Sequence, residues 1–482
     1  MAQGFTDEVF FATITELNAR LKARDFSCRE LTTAFLDRLE TLGPKYNALA
    51  CSLRKRALKK AGDVDGEIRR QRDRGPLHGV PFGAKDLLSV SGYPTTWGAK
   101  PYERQIFDED ATVIRKLDGA GAVCLGKLAM VELAGGGGYS SAAASLQGPG
   151  LNPWDPTKWS GGSSSGSGSA VAAGLVAFAL GSETSGSIVT PAAFCGVTGL
   201  RPTYGYVSHH GAMPLSWTMD KIGPMCRSAE DCGLVLQTIS GGDREDPSSA
   251  GKSFYYTPDF VRDFRTLTLG YAPSDFAEAA EEPARPALRA ALEALLAMGF
   301  RVREVELPEF PYGSVTGAII DAEGAAVFEK LIRSGEVNQL ADAEQIAGLK
   351  AGLDITAADY LKAMRIRRLI LKAFREMFVD VSFLVTPSRM GAAPSAFEPF
   401  DQPGAPERPK PASRGLRDLI PAGNLAGLPA LSLPCGFAGG LPVALSLVAR
   451  PFWENTLLAI GKAFQSQTDW HRRRPPAPGP AR

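Results

Sequence analysis

The spacing of apolar side chains near the start of the chain follows the period of a helix. Ser27 and Glu30 stand three residues apart, and the apolar positions Leu31, Phe35 and Leu39 follow them. A serine at the start of a helix accepts a hydrogen bond from the third helical amide, and a glutamate at that third position returns one. The pattern therefore predicts a helix that begins just after Ser27.

Helical patterns then alternate with short apolar runs along the chain. Residues 112–119 carry apolar side chains on one helical face. Residues 121–125 form a short apolar run that is typical of a parallel strand covered on both sides. The same reasoning predicts further helices at 164–174, from about 187, at 285–298 and at 356–378, and strands at 79–87, 175–180 and 300–305.

Helices that alternate with short strands indicate an α/β fold, with helices on both faces of a mixed sheet. Two segments lack either pattern. Residues 387–411 hold seven prolines, which predicts a surface loop near the mouth of a site. Residues 472–482 are basic and rich in proline, which predicts a disordered tail.

Charge and hydropathy exclude several classes of partner. The 482 residues include 53 basic and 52 acidic side chains, a balance that predicts neither nucleic acid nor an anionic membrane as partner. The longest apolar run, residues 170–180, is too short to cross a bilayer, and residues 1–8 lack the pattern of a secretory signal. We therefore expect no membrane association.

Cysteine and histidine usage limits the chemistry further. Seven scattered cysteines, an odd number, are typical of reduced thiols in a cytoplasmic protein. The four histidines have no metal-ligand spacing, so we expect no metal and no other cofactor.

The most informative residues form two turns rich in glycine and serine. The first covers residues 161–169 and the second residues 181–187, with a segment of small residues between them. Lys85 lies upstream in an apolar block, residues 79–87. This trio resembles the amidase signature family, whose members cut C–N bonds next to a carbonyl with a Ser–Ser–Lys apparatus.

The resemblance implies the architecture of the whole chain. Residues 1–482 would form a single amidase domain of three layers, with a large twisted mixed β-sheet and helices on both faces. The signature core would lie at residues 77–231 and 424–470. Residues 240–420 would supply a variable lobe that faces the substrate.

The resemblance also implies the catalytic roles. Ser187 would be the nucleophile, Ser163 a bridging serine on a cis peptide after Gly162, and Lys85 the base. A lysine base must be neutral, which requires burial away from carboxylates. The neighbouring Asp86 must therefore point elsewhere.

Further site residues are expected, some from the resemblance and some from their residue types. An oxyanion hole is expected from the backbone N–H groups of Thr184, Ser185, Gly186 and Ser187. The expected substrate-lining residues are Tyr139, Gly137, Gly138, Met213 and Trp217. For the aromatic and apolar members of this set, a surface position or core packing remains the alternative.

The chain departs from the common signature close to the nucleophile. Ser185 stands where many members have glycine, and Val189 where many have arginine. Glu183 thereby loses a cationic partner, and Arg201 is the candidate replacement.

The function expected from these features is a stand-alone hydrolase, monomeric or homodimeric, that cleaves neutral small-molecule amides or carbamates through an acyl- or carbamoyl-enzyme. The urethane-cleaving branch is the specific expectation. One alternative is the A subunit of a tRNA-dependent amidotransferase, disfavoured because residues 351–368 look like an unrelated helical region and not a glutamine-handling segment. A small-molecule kinase with a Gly/Ser phosphate loop is the remote alternative, since no Walker lysine or Mg²⁺-binding acidic motif is present.

Overall fold

The fold is organised around one large mixed β-sheet. The computed structural model of the chain describes residues 5–257, 259, 261, 263–400 and 413–477. Eleven strands of the described residues form this sheet, and two more form a separate hairpin. The strands are β1 Leu49–Ser52, β2 Pro81–Lys85, β3 Val123–Leu128, β4 Leu151–Asn152, β5 Asp155–Trp159, β6 Phe178–Glu183, β7 Thr198–Arg201, β8 Lys221–Cys226, β9 Thr268–Tyr271, β10 Arg301–Glu304, β11 Phe383–Pro387, β12 Ala430–Ala438 and β13 Leu441–Ala449.

The strand order of the large sheet is β1-β3-β2-β6-β8-β7-β12-β13-β11-β9-β10. The strands β3, β2 and β6 are parallel neighbours, as are β11, β9 and β10, while the strands between these groups pair antiparallel. Because β2 and β6 run parallel, their carboxyl ends meet at the same edge of the sheet. That edge carries Lys85 and Glu183.

Helices cover both faces of this sheet, as the β7 contacts demonstrate. The Thr198 hydroxyl accepts a hydrogen bond from Gln465 (2.9 Å), whereas a Cβ on Gly199 would lie 2.7 Å from Ala192. Successive residues of a strand point to opposite faces, so the helices of Gln465 and Ala192 lie on opposite faces. The helices are α1 Asp7–Phe10, α2 Ile14–Ala23, α3 Cys28–Leu42, α4 Arg54–Arg69, α5 Thr112–Gly119, α6 Ser165–Ala172, α7 Val189–Cys195, α8 Ala229–Ile239, α9 Arg285–Leu296, α10 Tyr312–Val327, α11 Glu329–Arg333, α12 Ala343–Gly352, α13 Ala357–Asp380, α14 Leu419–Leu425 and α15 Glu454–Gln467.

The helix signals in the sequence are confirmed. Ser27 and Glu30 form the expected capping box at the start of α3. Thr356 caps α13 by accepting from the Asp359 N–H, and Gly299 adopts φ +87° after α9. Polar side chains at caps act within one turn of chain, so the sequence alone predicts them.

The predicted bounds of two site-bearing elements are wrong. The strand predicted at 175–180 is β6, which extends to Glu183. The helix expected from about 187 is α7, which begins at Val189. The polar end of β6 is fully buried because it pairs with β8, a long-range contact that apolar periodicity does not reveal.

Part of the two irregular segments lies outside the described residues. Of the predicted loop at 387–411, residues 401–411 fall outside the description, and residues 388–400 pack near β5, where the Ala396 N–H donates to the Thr157 C=O (2.9 Å). Of the predicted tail, residues 478–482 fall outside it. Among the described helices, none combines the length and the apolar composition needed to span a membrane.

Candidate active site

Lys85 ends β2 with its side chain buried among hydroxyl groups. Its ammonium nitrogen donates to Ser163 Oγ (2.7 Å) and to Ser182 Oγ (3.0 Å), and the side chain is fully buried. Burial lowers the pKa of Lys85 to about 7, although the charges of Asp220 and Glu183 oppose this shift. Near neutral pH a substantial fraction of Lys85 is therefore uncharged and able to accept a proton.

Asp86 points away from Lys85, as the sequence analysis required. The fully buried Lys127 pairs with one Asp86 oxygen (2.8 Å), and the Thr96 N–H donates to the other (3.1 Å). A second lysine thus neutralises the adjacent carboxylate, which leaves Lys85 without a direct ionic partner at that position.

The two glycine- and serine-rich turns are joined directly. The peptide between Gly162 and Ser163 is cis. The Ser164 N–H donates to the Ser187 C=O (3.3 Å), and the Ser164 hydroxyl donates to the Ser182 C=O (3.2 Å). These bonds hold the bridging serine and the candidate nucleophile in neighbouring turns, beside Lys85.

The turn before Ser187 presents unpaired amides. Gly186 adopts φ +89°, a conformation that glycine tolerates and other residues rarely adopt. Within the described part of the chain, the N–H groups of Ser185, Gly186 and Ser187 donate to no protein acceptor. They are therefore available to an oxygen atom of a bound molecule. The Thr184 side-chain hydroxyl donates to Asp220 (2.5 Å).

Glu183 anchors the start of α7 through both carboxylate oxygens. One oxygen accepts from the Ile188 and Val189 N–H groups (2.8 and 3.0 Å), and the other from Arg201 and Asn424 (2.8 Å each). Burial alone would raise the pKa of Glu183, but the Arg201 charge and these bonds outweigh it and lower the pKa to about 2. The expectation that Arg201 replaces the arginine missing at Val189 is confirmed.

Two cavities flank the nucleophile turn. The Trp217 cavity, about 490 Å³, is bordered by Thr184, Met213 and Trp217. The Tyr139 cavity, about 680 Å³, is bordered by Tyr139 and Ser185. Adjacent residues of the turn therefore face different cavities, and the expected lining residues lie on two sides of the site and not on one wall.

Gly137 and Gly138 border neither of these cavities, and their role in substrate binding stays a prediction. A Cβ on Gly137 would lie 2.6 Å from the Leu349 nitrogen and 2.7 Å from the Gln345 oxygen, both in α12. Glycine at this position allows the backbone of α12 to approach closely. Contacts between segments two hundred residues apart leave no signal in local sequence.

Sequence reasoning did not single out Ser182, although its hydroxyl is the second acceptor for Lys85. The feature that could have identified Ser182 is its position in β6, next to Glu183. Because neighbouring strand residues point to opposite faces, one of the two faces Lys85 while the other faces α7. No group of three or more histidine, cysteine, aspartate or glutamate residues able to hold a metal ion occurs among the described residues.

Known proteins resemble this chain over nearly its full length. It is 36% identical to the A subunit of glutamyl-tRNA(Gln) amidotransferase from Carboxydothermus hydrogenoformans, over 97% of this chain and 99% of the relative. The structure of a peptide amidase from Stenotrophomonas maltophilia has 30% identity and a TM-score of 0.82, with 97% of this chain and 98% of the other covered. The A subunit of the same amidotransferase from Thermotoga maritima has 27% identity and a TM-score of 0.77, with 97% of each chain covered.

These relatives overturn the expected substrate and partners. The prediction of a stand-alone hydrolase of neutral amides or carbamates, urethanes included, is wrong. Relatives at 35–38% identity are named as the A subunit of glutamyl-tRNA(Gln) amidotransferase. The expected partners, a small molecule and no nucleic acid, are wrong for the same reason, since that name includes a tRNA and implies further subunits. Net charge summed over one chain does not report on such an assembly.

The helical region at 351–368 does not exclude the amidotransferase alternative. Arg367 of α13 donates to the Leu425 C=O (2.7 Å) and to the Thr218 C=O (2.8 Å), beside the Trp217 cavity. The region therefore contacts the wall of the site.

The length of the match to a family model shows which family the chain belongs to. The family model described as Amidase matches residues 30–458. The mixed eleven-stranded sheet agrees with the solved structures of amidase signature enzymes. The chain therefore belongs to the amidase family and is an enzyme of the class that hydrolyses C–N bonds.

Proposed function

We propose that this chain is the A subunit of a tRNA-dependent amidotransferase, which releases ammonia from the side-chain amide of glutamine for transfer to glutamyl-tRNA(Gln). The observation that carries the proposal is the full-length similarity to relatives of that name. Their printed name specifies the acceptor, and a C–N hydrolase is the part of such an assembly that would supply the nitrogen.

The catalytic roles are proposed from the geometry of the two turns. Ser187 Oγ attacks the amide carbon while its proton passes to Ser163, and the Ser163 proton passes to neutral Lys85 over 2.7 Å. The free N–H groups of Ser185, Gly186 and Ser187 stabilise the negative oxygen of the tetrahedral intermediate. The Thr184 N–H is the fourth expected donor, and the Thr184 hydroxyl donates separately to Asp220 (2.5 Å).

The proton then returns to the leaving nitrogen. Lys85, now an ammonium, gives its proton back through Ser163, the C–N bond breaks, and ammonia leaves with an acyl group on Ser187. Water attacks this ester by the same relay and regenerates Ser187. A base with a pKa of about 7 suits both directions of transfer, because it gains and loses a proton at similar cost near neutral pH.

The proposal also names partners and a compartment. The acceptor tRNA and further subunits would assemble with this chain, as the name of the relatives implies. We propose a cytoplasmic location, because aminoacylated tRNA is made and used where translation occurs. The seven unpaired cysteines support this compartment.

Transfer of isotope tests the proposal. The chain is combined with the remaining amidotransferase subunits from the same genome, glutamyl-tRNA(Gln), ATP and glutamine labelled with ¹⁵N in the amide. We expect ¹⁵N in the tRNA-bound amino acid, and none when Ser187→Ala replaces the natural chain. Absence of both transfer and glutamine hydrolysis in the complete mixture would disprove the proposal.

A further inference from the structure

The solvent side of α13 carries an unusual share of the exposed apolar surface. Leu361, Leu369 and Val379 are 60%, 55% and 83% exposed. They account for three of the eight large hydrophobic side chains exposed among the described residues. They are 8 and 10 residues apart, about 12 and 15 Å along the helix, so they are separate apolar contact points along one side of it.

The same side of α13 is strongly basic. Five exposed cations recur there every three or four residues, the spacing of one helical face: Lys362, Arg365, Arg368, Lys372 and Arg375. Within the described part of the chain, only two of them have nearby counter-charges, in the exposed pairs Lys362–Asp359 (3.2 Å) and Lys372–Glu376 (3.7 Å). Such pairs contribute little and leave the cations available. We call this surface, with its three apolar residues, the α13 outer face.

The inner face of α13 holds the helix in place. Ile370, Phe374 and Phe378 are buried in the core, and Arg367 bonds to the backbone of Thr218 and Leu425. The 24-residue helix is therefore a fixed platform about 36 Å long, and Arg367, near its middle, contacts the backbone of Thr218 beside the Trp217 cavity.

We propose that the α13 outer face docks another protein subunit through an amphipathic segment whose acidic residues flank apolar ones. The inference rests on the proposed function, which requires at least one further subunit. Charge complementarity selects an acidic partner, since the chain has a net charge of only +1 while this face carries five cations. The interleaved Leu361, Leu369 and Val379 select a partner with apolar side chains.

Other occupants fit the α13 outer face less well. An RNA backbone would pair with the cations but offer nothing apolar to Leu361 or Val379. A bilayer requires an apolar face separated from the charges, whereas here the two are mixed. A second copy of the same face would bring like charges together.

Binding of the remaining amidotransferase subunits tests the docking surface. The double variant Leu369→Glu/Val379→Glu places two acids on the α13 outer face, and both sites are exposed, so the fold should persist. Val302→Glu, 49% exposed on β10, is the matched control. We expect the double variant to weaken Kd for the subunits at least about 30-fold, and the control less than about threefold, by isothermal titration calorimetry.

Charge reversal separates the possible partners. Arg365→Glu/Arg368→Glu should weaken binding of the subunits at least about tenfold at 50 mM salt and less at 500 mM. Equal Kd values for natural chain and both double variants would overturn the docking surface while leaving the proposed function intact. Loss of tRNA binding, or of binding to vesicles containing phosphatidylserine, with the Kd for the subunits unchanged would also overturn it. A natural chain that binds none of the subunits and transfers no nitrogen would overturn both proposals.

Discussion

Lys85 determines the chemistry at the residue scale, because burial lowers its pKa more than the charges of Asp220 and Glu183 raise it. The neutral lysine is the proposed base, and its pKa is lowered to about 7. Below that pH the side chain gains a proton and cannot accept another. We expect hydrolysis to fall about tenfold for each pH unit below 7, measured as kcat/KM against pH.

A matched variant strengthens this pH test. Lys85→Arg keeps a positive charge at every accessible pH. The rate of hydrolysis should therefore fall by a factor of about 10²–10⁴, and raising the pH should not restore it. A natural enzyme whose rate is constant from pH 5 to 8 would contradict the role of Lys85 as base.

The burial of Lys85 also has a cost in stability. Its pKa is about 7 in the folded chain and 10.5 ordinarily, so the unfolded chain binds more protons between these values. Stability attributable to this group therefore rises with pH from 7 to 10.5, and the destabilisation is complete below 7. Lys85→Met should raise the free energy of unfolding by about 1–3 kcal/mol at pH 7, after the loss of its hydrogen bonds is included.

Urea denaturation at several pH values measures this effect. The difference between Lys85→Met and the natural chain should shrink as pH approaches 10.5. A difference that is independent of pH would show that packing, and not the charge, causes it.

At the scale of elements, the start of α7 is positioned by Glu183. Its carboxylate binds two amides at that end and the buried Arg201, so loss of the charge affects both. Glu183→Gln leaves Arg201 buried without its counter-charge, which should cost about 3–5 kcal/mol in the free energy of unfolding. We also expect kcat to fall more than tenfold with KM changed less than threefold, because the nucleophile turn shifts while both cavities persist.

The conservative variant distinguishes position from charge. Glu183→Asp keeps the charge and should recover most of the stability but only part of kcat, since its shorter side chain cannot reach Arg201 and both amides together. If Glu183→Gln matches the natural enzyme in kcat, the carboxylate has no part in holding Ser187.

Helix α12 packs closely against the loop before Tyr139, and this contact can also be tested by substitution. A Cβ on Gly348 would lie 1.9 Å from the Gly137 oxygen, so Gly348→Ala must displace that loop. We expect a loss of about 1–3 kcal/mol in stability and a raised KM, because Tyr139 borders a cavity. Gly313→Ala in α10, where a Cβ meets no atom within 4 Å, is the control and should be neutral or stabilising in the same denaturation and kinetic assays.

At the scale of the whole molecule, one sheet joins distant parts of the chain. The pairing of β7 with β12 joins Arg201 to Ala430, and α13 from the lobe contacts Leu425. We therefore expect a single cooperative unfolding transition, with calorimetric and van 't Hoff enthalpies that agree. Two separated transitions would indicate that the lobe at 240–420 folds as a unit of its own and would contradict the single-domain prediction.

The sequence by itself predicted what depends on short range. The capping pair Ser27 and Glu30 acts within one helical turn, and apolar periodicity marks α5 and α9, so the existence of these helices could be predicted from local sequence. The dense motif around Ser163 and Ser187 was sufficient to indicate the amidase family, which the family model supports. The motif is defined by residue types and their spacing in the sequence, so it could be recognised without the tertiary structure.

Only the tertiary structure decided which distant groups meet. Lys85 and Ser182 are 97 residues apart and Glu183 and Asn424 are 241 apart, yet each pair forms a hydrogen bond. Sheet pairing creates these contacts and the burial that shifts the pKa of Lys85, and neither is encoded in a local pattern. The same long-range packing placed Gly137 against α12, and it put Tyr139 at one cavity and Met213 and Trp217 at the other.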